Sequence, residues 1–189
     1  HPAQFLDIKN PKISESGKME LLVDILQNIL DNDEKVIIFT QYVEMGKLIQ
    51  ELISKKFKQE VLFLHGSQTL KEKTRIIDTF QEDPDYKIFV ATLKTGGTGL
   101  NLTAAQNVIH YDLWWNPAVE NQATDRVHRI GQEKDVMVYR FITKGTLEET
   151  IDAISKHKTD LASRSISNDE TFITEMNNEE LKNVLKLRL

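Results

Sequence analysis

The sequence predicts an α/β fold, a three-layer αβα sandwich built around a mostly parallel sheet. Continuous apolar runs, such as Val-Ile-Ile-Phe at residues 36–39, alternate along the chain with segments of helical spacing. Strands that are apolar on both faces are typical of parallel sheets covered by helices on both sides. The alternation of strands with helices predicts the same layered architecture.

Five short runs rich in β-branched and aromatic residues account for the predicted strands. Their ends are marked by polar residues or glycine, as expected where a buried strand meets a loop. The predicted strands are residues 36–40, 61–65, 87–93, 107–112 and 136–142.

Apolar residues at helical spacing predict the helices between these strands. Ser14 or Ser16 is a possible N-cap of the first helix, and Thr146 with Glu149 forms a capping-box pattern before the last one. The residues that mark these helices by their spacing are Met19, Leu22, Val23, Leu26, Ile29 and Leu30; Met45, Leu48, Ile49, Leu52 and Ile53; Leu70, Ile77 and Phe80; Val119, Ala123 and Val127; and Leu147, Ile151 and Ile154.

Composition divides the chain into three parts. Residues 1–16 are polar, contain two prolines, and are predicted to be an incoming linker. Residues 17–162 carry the strand and helix signals of one domain, whereas residues 163–189 predict a polar loop followed by a short tail helix. Because no methionine stands at the start, we expect the chain to be a piece of a longer protein.

Charge and composition exclude several classes of protein. The net charge of −5 argues against a protein dedicated to coating nucleic acid, although a local basic groove remains compatible with it. Cysteine is absent, which excludes disulfides and thiolate metal sites and fits an intracellular location. No secretory leader and no run of membrane-spanning length is present, so we expect no membrane partner.

The most informative segment runs from residue 121 to residue 132 and contains Arg126 and Arg129. On a helix, residues three apart lie on one face, and two guanidinium forks on one face suit a triphosphate. Gly131 is placed to end such a helix. The alternative interpretation is a surface face of salt bridges.

A glycine-rich turn at residues 94–105 directly follows a predicted strand. Its backbone N–H groups are suited to phosphate, from nucleotide or nucleic acid, although a plain tight turn is equally compatible with the pattern. No Gly-Lys-Ser/Thr ends this turn, and Gly17-Lys18 is followed by Met19. The chain therefore has no Walker A loop and no acidic Asp-Glu box to hold Mg²⁺.

Polar residues follow two other predicted strands. His65-Gly66-Ser67 and Thr40-Gln41 stand at strand ends, where α/β proteins usually place ligands. They are suited to phosphate contact, whereas the simpler interpretation of residues 65–67 is a capping turn into the next helix.

For two tryptophans, one aspartate and one histidine near this segment, a structural interpretation competes with a functional one. Trp114 and Trp115 could stack on a base, but packing is favoured, with Pro117 in the first turn of the next helix. Asp125 could orient an arginine or remain solvated. His128 has no partners at metal-ligand spacing, so no metal site is expected.

Taken together, these segments resemble the C-terminal lobe of the superfamily-two helicase-like ATPases, and more closely the SWI/SNF-type double-stranded DNA translocases. The ending His-Arg-Ile-Gly-Gln is typical of that family, whereas RNA helicases of the Asp-Glu-Ala-Asp type end the motif with Gly-Arg. The match covers roughly residues 1–160. The segments that carry it are residues 36–42, 65–67, 95–102, 112–117 and 122–132.

The resemblance implies a RecA-like lobe with a bracing helix at about residues 146–161. It implies that ATP and Mg²⁺ are held mainly by a missing N-terminal lobe, which would be a partner together with double-stranded DNA and a DNA-bound protein target. It also implies roles for individual residues. Arg126 and Arg129 match arginine fingers and Gln122 a motif glutamine; Gly97, Gly99 and Asn101 match the ATP-cleft loop; Thr40, Gln41, His65, Gly66, Ser67, Lys94 and Thr95 match or adjoin the DNA path.

Two rival functions stay open at this point. An α/β binding module without enzymatic activity fits the composition and the strand–helix pattern equally well. The lobe of an RNA helicase or single-strand helicase is the second rival, and only the resemblance of the His-Arg-Ile-Gly-Gln ending argues against it.

Overall fold

The computed structural model describes residues 1–6, 8–96, 101–114, 116–129 and 134–162. Five strands form one sheet in the order β2-β3-β1-β4-β5, and all four pairings are parallel. The three-layer α/β prediction is confirmed. The strands are β1 Val36–Thr40, β2 Leu62–Leu64, β3 Ile88–Thr92, β4 Asn107–His110 and β5 Met137–Arg140.

Helices precede and connect these strands. Four of them exceed ten residues, whereas α1 and α5 are single turns. The helices are α1 Ala3–Leu6, α2 Gly17–Asp31, α3 Val43–Phe57, α4 Leu70–Glu82, α5 Leu93–Gly96, α6 Pro117–Thr124 and α7 Leu147–Ala162.

The sheet is apolar on both faces, and each face has its own core. Ile38 and Val90 point to one face, where they pack with the buried sides of α2 and α3. Ile37, Phe39 and Phe89 point to the other face, where Phe80 of α4 and Ala123 of α6 cover them. Each fully buried side chain of this size contributes about 1.5–3 kcal/mol, so β1 and β3, which are buried along their whole length, contribute to both cores.

All five predicted strands are present. β1 has the predicted bounds, whereas the other four strands are shorter, because their terminal residues belong to loops or, for Leu93, to α5. Leu70 is the first residue of α4, in agreement with the predicted third helix, and its side chain is 81 % exposed. One expectation for the helices is wrong. The fourth helix ends at Thr124, so Val127 lies beyond it, although its side chain is fully buried.

Side-chain caps set where the helices begin. The Ser16 hydroxyl accepts from the Met19 backbone N–H at 3.4 Å, which selects Ser16 over Ser14 as the cap of α2. Thr69 and Glu72 form a reciprocal capping box at α4. Ahead of α7 the predicted box is altered, because the Glu149 carboxylate accepts from the Gly145 backbone N–H at 3.0 Å.

The structure describes most of residues 1–16 but none of residues 163–189. Residues 1–16 contain α1 and a 3-10 helix, Ile13–Glu15, and Ile13 packs against the core on the α2 side of the sheet. The predicted loop and tail at residues 163–189 lie outside the described residues, and the domain boundaries stay predictions. No helix in the described part of the chain is long and apolar enough to span a membrane.

Candidate nucleotide and nucleic-acid site

The carboxyl ends of β1 and β4 meet at the point where the strand order reverses. The chain leaves β1 towards β2 on one side and leaves β4 towards β5 on the other, which is where open α/β sheets place ligands. Asp112 closes this point: its carboxylate accepts from the Thr40 hydroxyl and from the Gln41 backbone N–H at 3.1 Å. The Gln41 amide donates to the Leu113 carbonyl. Thr40 is therefore buried and internally bonded, and Gln41 is held at the edge.

The loop after β2 is exposed and bonded locally. The Ser67 hydroxyl lies 2.8 Å from His65 Nδ1, and the Lys73 ammonium donates to the Gly66 carbonyl at 3.1 Å. A Cβ atom placed on Gly66 would meet the Thr95 hydroxyl at 3.8 Å, so this loop lies beside the end of β3. Thr95 itself is buried. The loop thus offers a hydroxyl, an imidazole and a nearby ammonium to solvent.

The glycine-rich turn is described only at its two ends. Lys94 and Thr95 lie in α5, and the Thr95 hydroxyl is 2.8 Å from that of Thr92. Gly97 and Gly99 lie outside the described residues, whereas Asn101 is exposed. The next residue, Leu102, donates its backbone N–H to the Arg126 carbonyl at 3.0 Å, which places the turn beside the arginines.

The arginines do not share a helix face, because α6 ends at Thr124 and both residues follow it. We call residues 125–129 the arginine segment. Its backbone forms successive turns, with the Val127 N–H donating to the Thr124 carbonyl at 2.9 Å. The side chain of Arg126 is buried and that of Arg129 is exposed. The predicted common helix face is therefore wrong, although the two residues remain close along one turn.

The neighbours of the arginines face solvent. Gln122 on α6, Asp125 and His128 are all exposed. The exposure of Asp125 favours the solvated interpretation. Trp114 packs against the core on the α4 side, as the packing interpretation predicts, whereas Trp115 lies outside the described residues. The described part of the chain contains no group of three or more acidic or histidine residues that could hold a metal ion.

A buried ion-pair network beneath α6 was not predicted. Glu120 is 4 % exposed, and its carboxylate accepts from the Trp114 backbone N–H at 2.7 Å and from Arg140 Nε at 2.9 Å. Arg140 also donates to Asp152 of α7 at 2.5 Å, and Lys156 reaches the same carboxylate at 2.7 Å. The network joins α6, β5 and α7. A sequence signal exists, since Glu120 precedes buried Ala123 by three residues and so shares its inward face.

The network also sets the charge states of its members. Burial of Arg140 would lower the pKa of its guanidinium, but Glu120 and Asp152 outweigh it and raise the pKa. Burial of Asp152 acts to raise the pKa of that carboxyl, but hydrogen bonds from Lys156 and Arg140 lower it overall. The described partners therefore keep both groups charged.

His110, the last residue of β4, was also not singled out by the sequence. Its ring is 1 % exposed, stacks on Phe39 with centroids 5.6 Å apart, and lies 3.0 Å through Nε2 from the Thr124 hydroxyl. Burial, and then the charge of Arg140, lower the pKa of His110 from 6.5 to about 4. The imidazole is therefore neutral near pH 7 and bonds the last residue of α6.

The chain matches the family described as helicase conserved C-terminal domain over residues 17–131. It is 44 % identical over 189 residues to YwqA of Bacillus subtilis, covering 99 % of this chain and 20 % of YwqA. It is 41 % identical over 160 residues to the chromatin-remodeling ATPase INO80 of Schizosaccharomyces pombe, covering 84 % of this chain and 10 % of INO80. The chain thus spans a fifth or less of the length of these relatives.

Two solved structures of SWI2/SNF2 ATPases are similar to this chain. The Sulfolobus solfataricus SWI2/SNF2 ATPase core in complex with dsDNA matches all of this chain and 39 % of its own, with 44 % identity and a TM-score of 0.83. The C-terminal domain of the Sulfolobus solfataricus SWI2/SNF2 ATPase matches with 42 % identity and a TM-score of 0.80, covering all of this chain and 76 % of that domain. This chain belongs to the helicase C-terminal domain family and is a RecA-like C-terminal lobe of the SWI2/SNF2 type.

Proposed function

We propose that this chain is the C-terminal motor lobe of an ATP-dependent double-stranded DNA translocase. In this proposal Arg126 and Arg129 complete a site for ATP and Mg²⁺ that a separate N-terminal RecA-like lobe holds. The exposed residues at the strand ends grip the DNA backbone. The names of the two relatives support the proposal at the level of the class: YwqA is named as a putative ATP-dependent helicase/translocase and INO80 as a chromatin-remodeling ATPase.

One observation supports the proposal more than any other: the arginine segment is hydrogen-bonded to the glycine-rich turn. The Leu102 backbone N–H donates to the Arg126 carbonyl at 3.0 Å, and we infer that the exposed residues Asn101 and Arg129, one and three residues from these partners, lie at one edge of the lobe. A second lobe that carries ATP and docks at this edge would meet both elements. Gln122 is exposed on α6 and would face the same nucleotide.

The two arginines would act at different depths. Arg129 is exposed and would cross to the γ-phosphate when ATP draws the lobes together. Arg126 is buried within its own lobe and would act on charge at the cleft wall. A finger of this kind stabilises the charge that develops during phosphoryl transfer and is worth about 10³–10⁵ in rate. Hydrolysis would remove the bridge and reopen the cleft.

The DNA contacts would be phosphate contacts. Ser67, His65 and Gly66 are accessible at the end of β2, and Gln41 lies at the end of β1, whereas Thr40 and Thr95 are buried and would hold the loops in place. We keep Lys94 in the DNA-facing set on the resemblance alone. Phosphate contacts carry no sequence information, so binding should be sequence-independent and salt-sensitive.

The proposal is tested with the full-length protein by measuring ATP hydrolysis with and without double-stranded DNA. We expect DNA to stimulate the wild type and the variant Arg126→Ala/Arg129→Ala to lose hydrolysis while still binding DNA. Normal turnover in that variant would show that the arginines are not needed for hydrolysis and would favour the non-enzymatic binding module. Stimulation by single-stranded RNA or DNA alone would favour the helicase rival.

A further inference from the structure

The arginine segment is not helical, and its placement depends in part on the residue at which α6 ends. The Thr124 carbonyl accepts from the Val127 N–H at 2.9 Å and from the His128 N–H at 3.1 Å. These two bonds turn the chain immediately around Arg126. The conformation of Thr124 therefore determines the direction in which both arginines leave α6.

The side chain of Thr124 is bonded to the centre of the fold. Its hydroxyl lies 3.0 Å from Nε2 of His110 and is hydrogen-bonded to the neutral imidazole. His110 is held on two sides, by the backbone ladder of β4 between β1 and β5 and by its stacking on Phe39. A hydroxyl bonded to a group this constrained is restricted in its rotamer, and so is the backbone that carries it.

The other end of α6 is fixed in a similar way. Glu120 stands four residues before Thr124 and so lies on the same side of the helix. It bonds the Trp114 backbone and Arg140. Rotation of α6 about its axis would break the bonds of Glu120 and of Thr124 together. The helix is therefore a fixed base for the arginine segment.

From this geometry we propose that Thr124 and His110 are positioning residues for ATP hydrolysis, acting through the arginine segment. The inference rests on the function proposed above. Neither residue touches nucleotide; their hydrogen bond holds the turn in the orientation that the closed state of the two lobes requires. Binding of ATP by the other lobe does not depend on this bond.

The expected fall in kcat follows from the sensitivity of phosphoryl transfer to geometry. A displacement of about 1 Å in a catalytic group costs about 10²-fold in rate. Loss of the bond should therefore lower kcat by about 10- to 100-fold. The KM for ATP and the DNA concentration for half-maximal stimulation should stay near their wild-type values, because ground-state binding uses other contacts.

The test uses the full-length protein and a pair of substitutions at one position. Thr124→Val removes the hydroxyl at nearly constant shape, and Thr124→Ser restores it. Thr74→Val is a matched control, because the Thr74 hydroxyl bonds only the Leu70 carbonyl of its own exposed helix turn. We expect kcat to fall in Thr124→Val, and to remain near wild type in Thr124→Ser and Thr74→Val.

Wild-type kcat in folded Thr124→Val would overturn the proposal, and so would an equal loss in Thr124→Val and Thr124→Ser. If Thr124→Val does not fold, His110→Phe takes its place, since it keeps an aromatic ring for stacking and removes the ring nitrogen that bonds Thr124; a wild-type kcat there would overturn the proposal equally. The double variant His110→Phe/Thr124→Val should lose no more than either single variant, because one bond is removed in each case. A loss of kcat in the double variant equal to the product of the two single-variant losses would contradict this expectation.

The same ATPase assay distinguishes failure of the proposed function from failure of the positioning role. Active Arg126→Ala/Arg129→Ala would refute the proposed function itself. Inactive Arg126→Ala/Arg129→Ala together with fully active Thr124→Val and His110→Phe would refute only the positioning role.

Discussion

The arginine segment and the loop at residues 65–67 lie at the same edge of the sheet, but they are supported in opposite ways. The arginine segment follows a helix whose two ends are bonded by buried Glu120 and by the buried imidazole of His110. The loop is exposed, and its hydrogen bonds are to its own neighbours, Gln68 and Lys73. A group that must meet a transition state needs fixed geometry, whereas a group that grips successive phosphates needs access and tolerance.

Removal of Glu120 should cause the largest loss of stability in the support of the arginine segment. In this chain Glu120→Ala would leave Arg140 with one carboxylate fewer and Trp114 N–H without its acceptor. We expect a loss of about 3–4 kcal/mol in the free energy of unfolding, below the top of the range for buried pairs because Arg140 keeps 30 % of its side chain exposed. Denaturant titration measures it.

The matched control for this change is Glu51→Ala, which removes the partner of Lys55 in an exposed pair on α3. Its free energy of unfolding should stay within experimental error of the wild type, since exposed pairs contribute little. Equal losses in Glu51→Ala and Glu120→Ala would show that the buried network has no special weight.

Acid should weaken the structural support of the arginine segment, because His110 is neutral in the folded chain. The pKa of His110 is about 4 in the folded chain and about 6.5 when unfolded, so the unfolded state binds the extra proton between these values. Stability contributed by the neutral imidazole is therefore present above pH 6.5 and is lost as the pH falls towards 4, by up to about 3 kcal/mol.

This pH dependence is measured by denaturant unfolding at a series of pH values. The slope of stability against pH in this window should be reduced in His110→Phe. An unchanged slope would show that other groups carry the acid dependence and that His110 is not held neutral by burial.

A smaller loss is expected at the switch point of the sheet. The bonds from Thr40 and Gln41 both end on Oδ2 of Asp112, so Asp112→Asn can keep them on its amide oxygen but loses the negative charge that strengthens them. The free energy of unfolding should fall by about 1.5 kcal/mol, because hydrogen bonds to charged groups contribute more than neutral ones. Thermal unfolding of Asp112→Asn and Asp112→Glu beside the wild type checks it, and no change in Asp112→Asn would contradict it.

The exposed loop should give the smallest effect on stability and a measurable effect on DNA binding. Ser67→Ala removes one exposed hydroxyl, so the unfolding midpoint should not move. In the full-length protein the Kd for double-stranded DNA should rise by roughly 2- to 10-fold, the equivalent of one neutral hydrogen bond. Unchanged affinity at low and at moderate salt would remove Ser67 from the DNA path.

The sequence was sufficient for the regular parts of the fold and insufficient for the supports of the site. Continuous apolar runs predict β1 and β3 because both faces of those strands are buried. The end of α6 could not be predicted, because Val127 keeps helical spacing with Ala123 while its burial comes from a turn. Arg140 is 20 residues from Glu120 and 12 from Asp152, so no local pattern joins them. The side-chain bond between His110 and Thr124 is hidden for the same reason.

The most direct test of the account is the rate of ATP hydrolysis by the full-length protein as a function of double-stranded DNA concentration, for Arg126→Ala/Arg129→Ala and for Ser67→Ala. The account predicts that the arginine variant loses kcat by about 10³-fold or more with its half-saturating DNA concentration unchanged. It predicts that Ser67→Ala keeps kcat and needs more DNA. A wild-type kcat in the arginine variant, or a loss of kcat alone in Ser67→Ala, would contradict the division between a fixed catalytic segment and an exposed DNA-gripping loop.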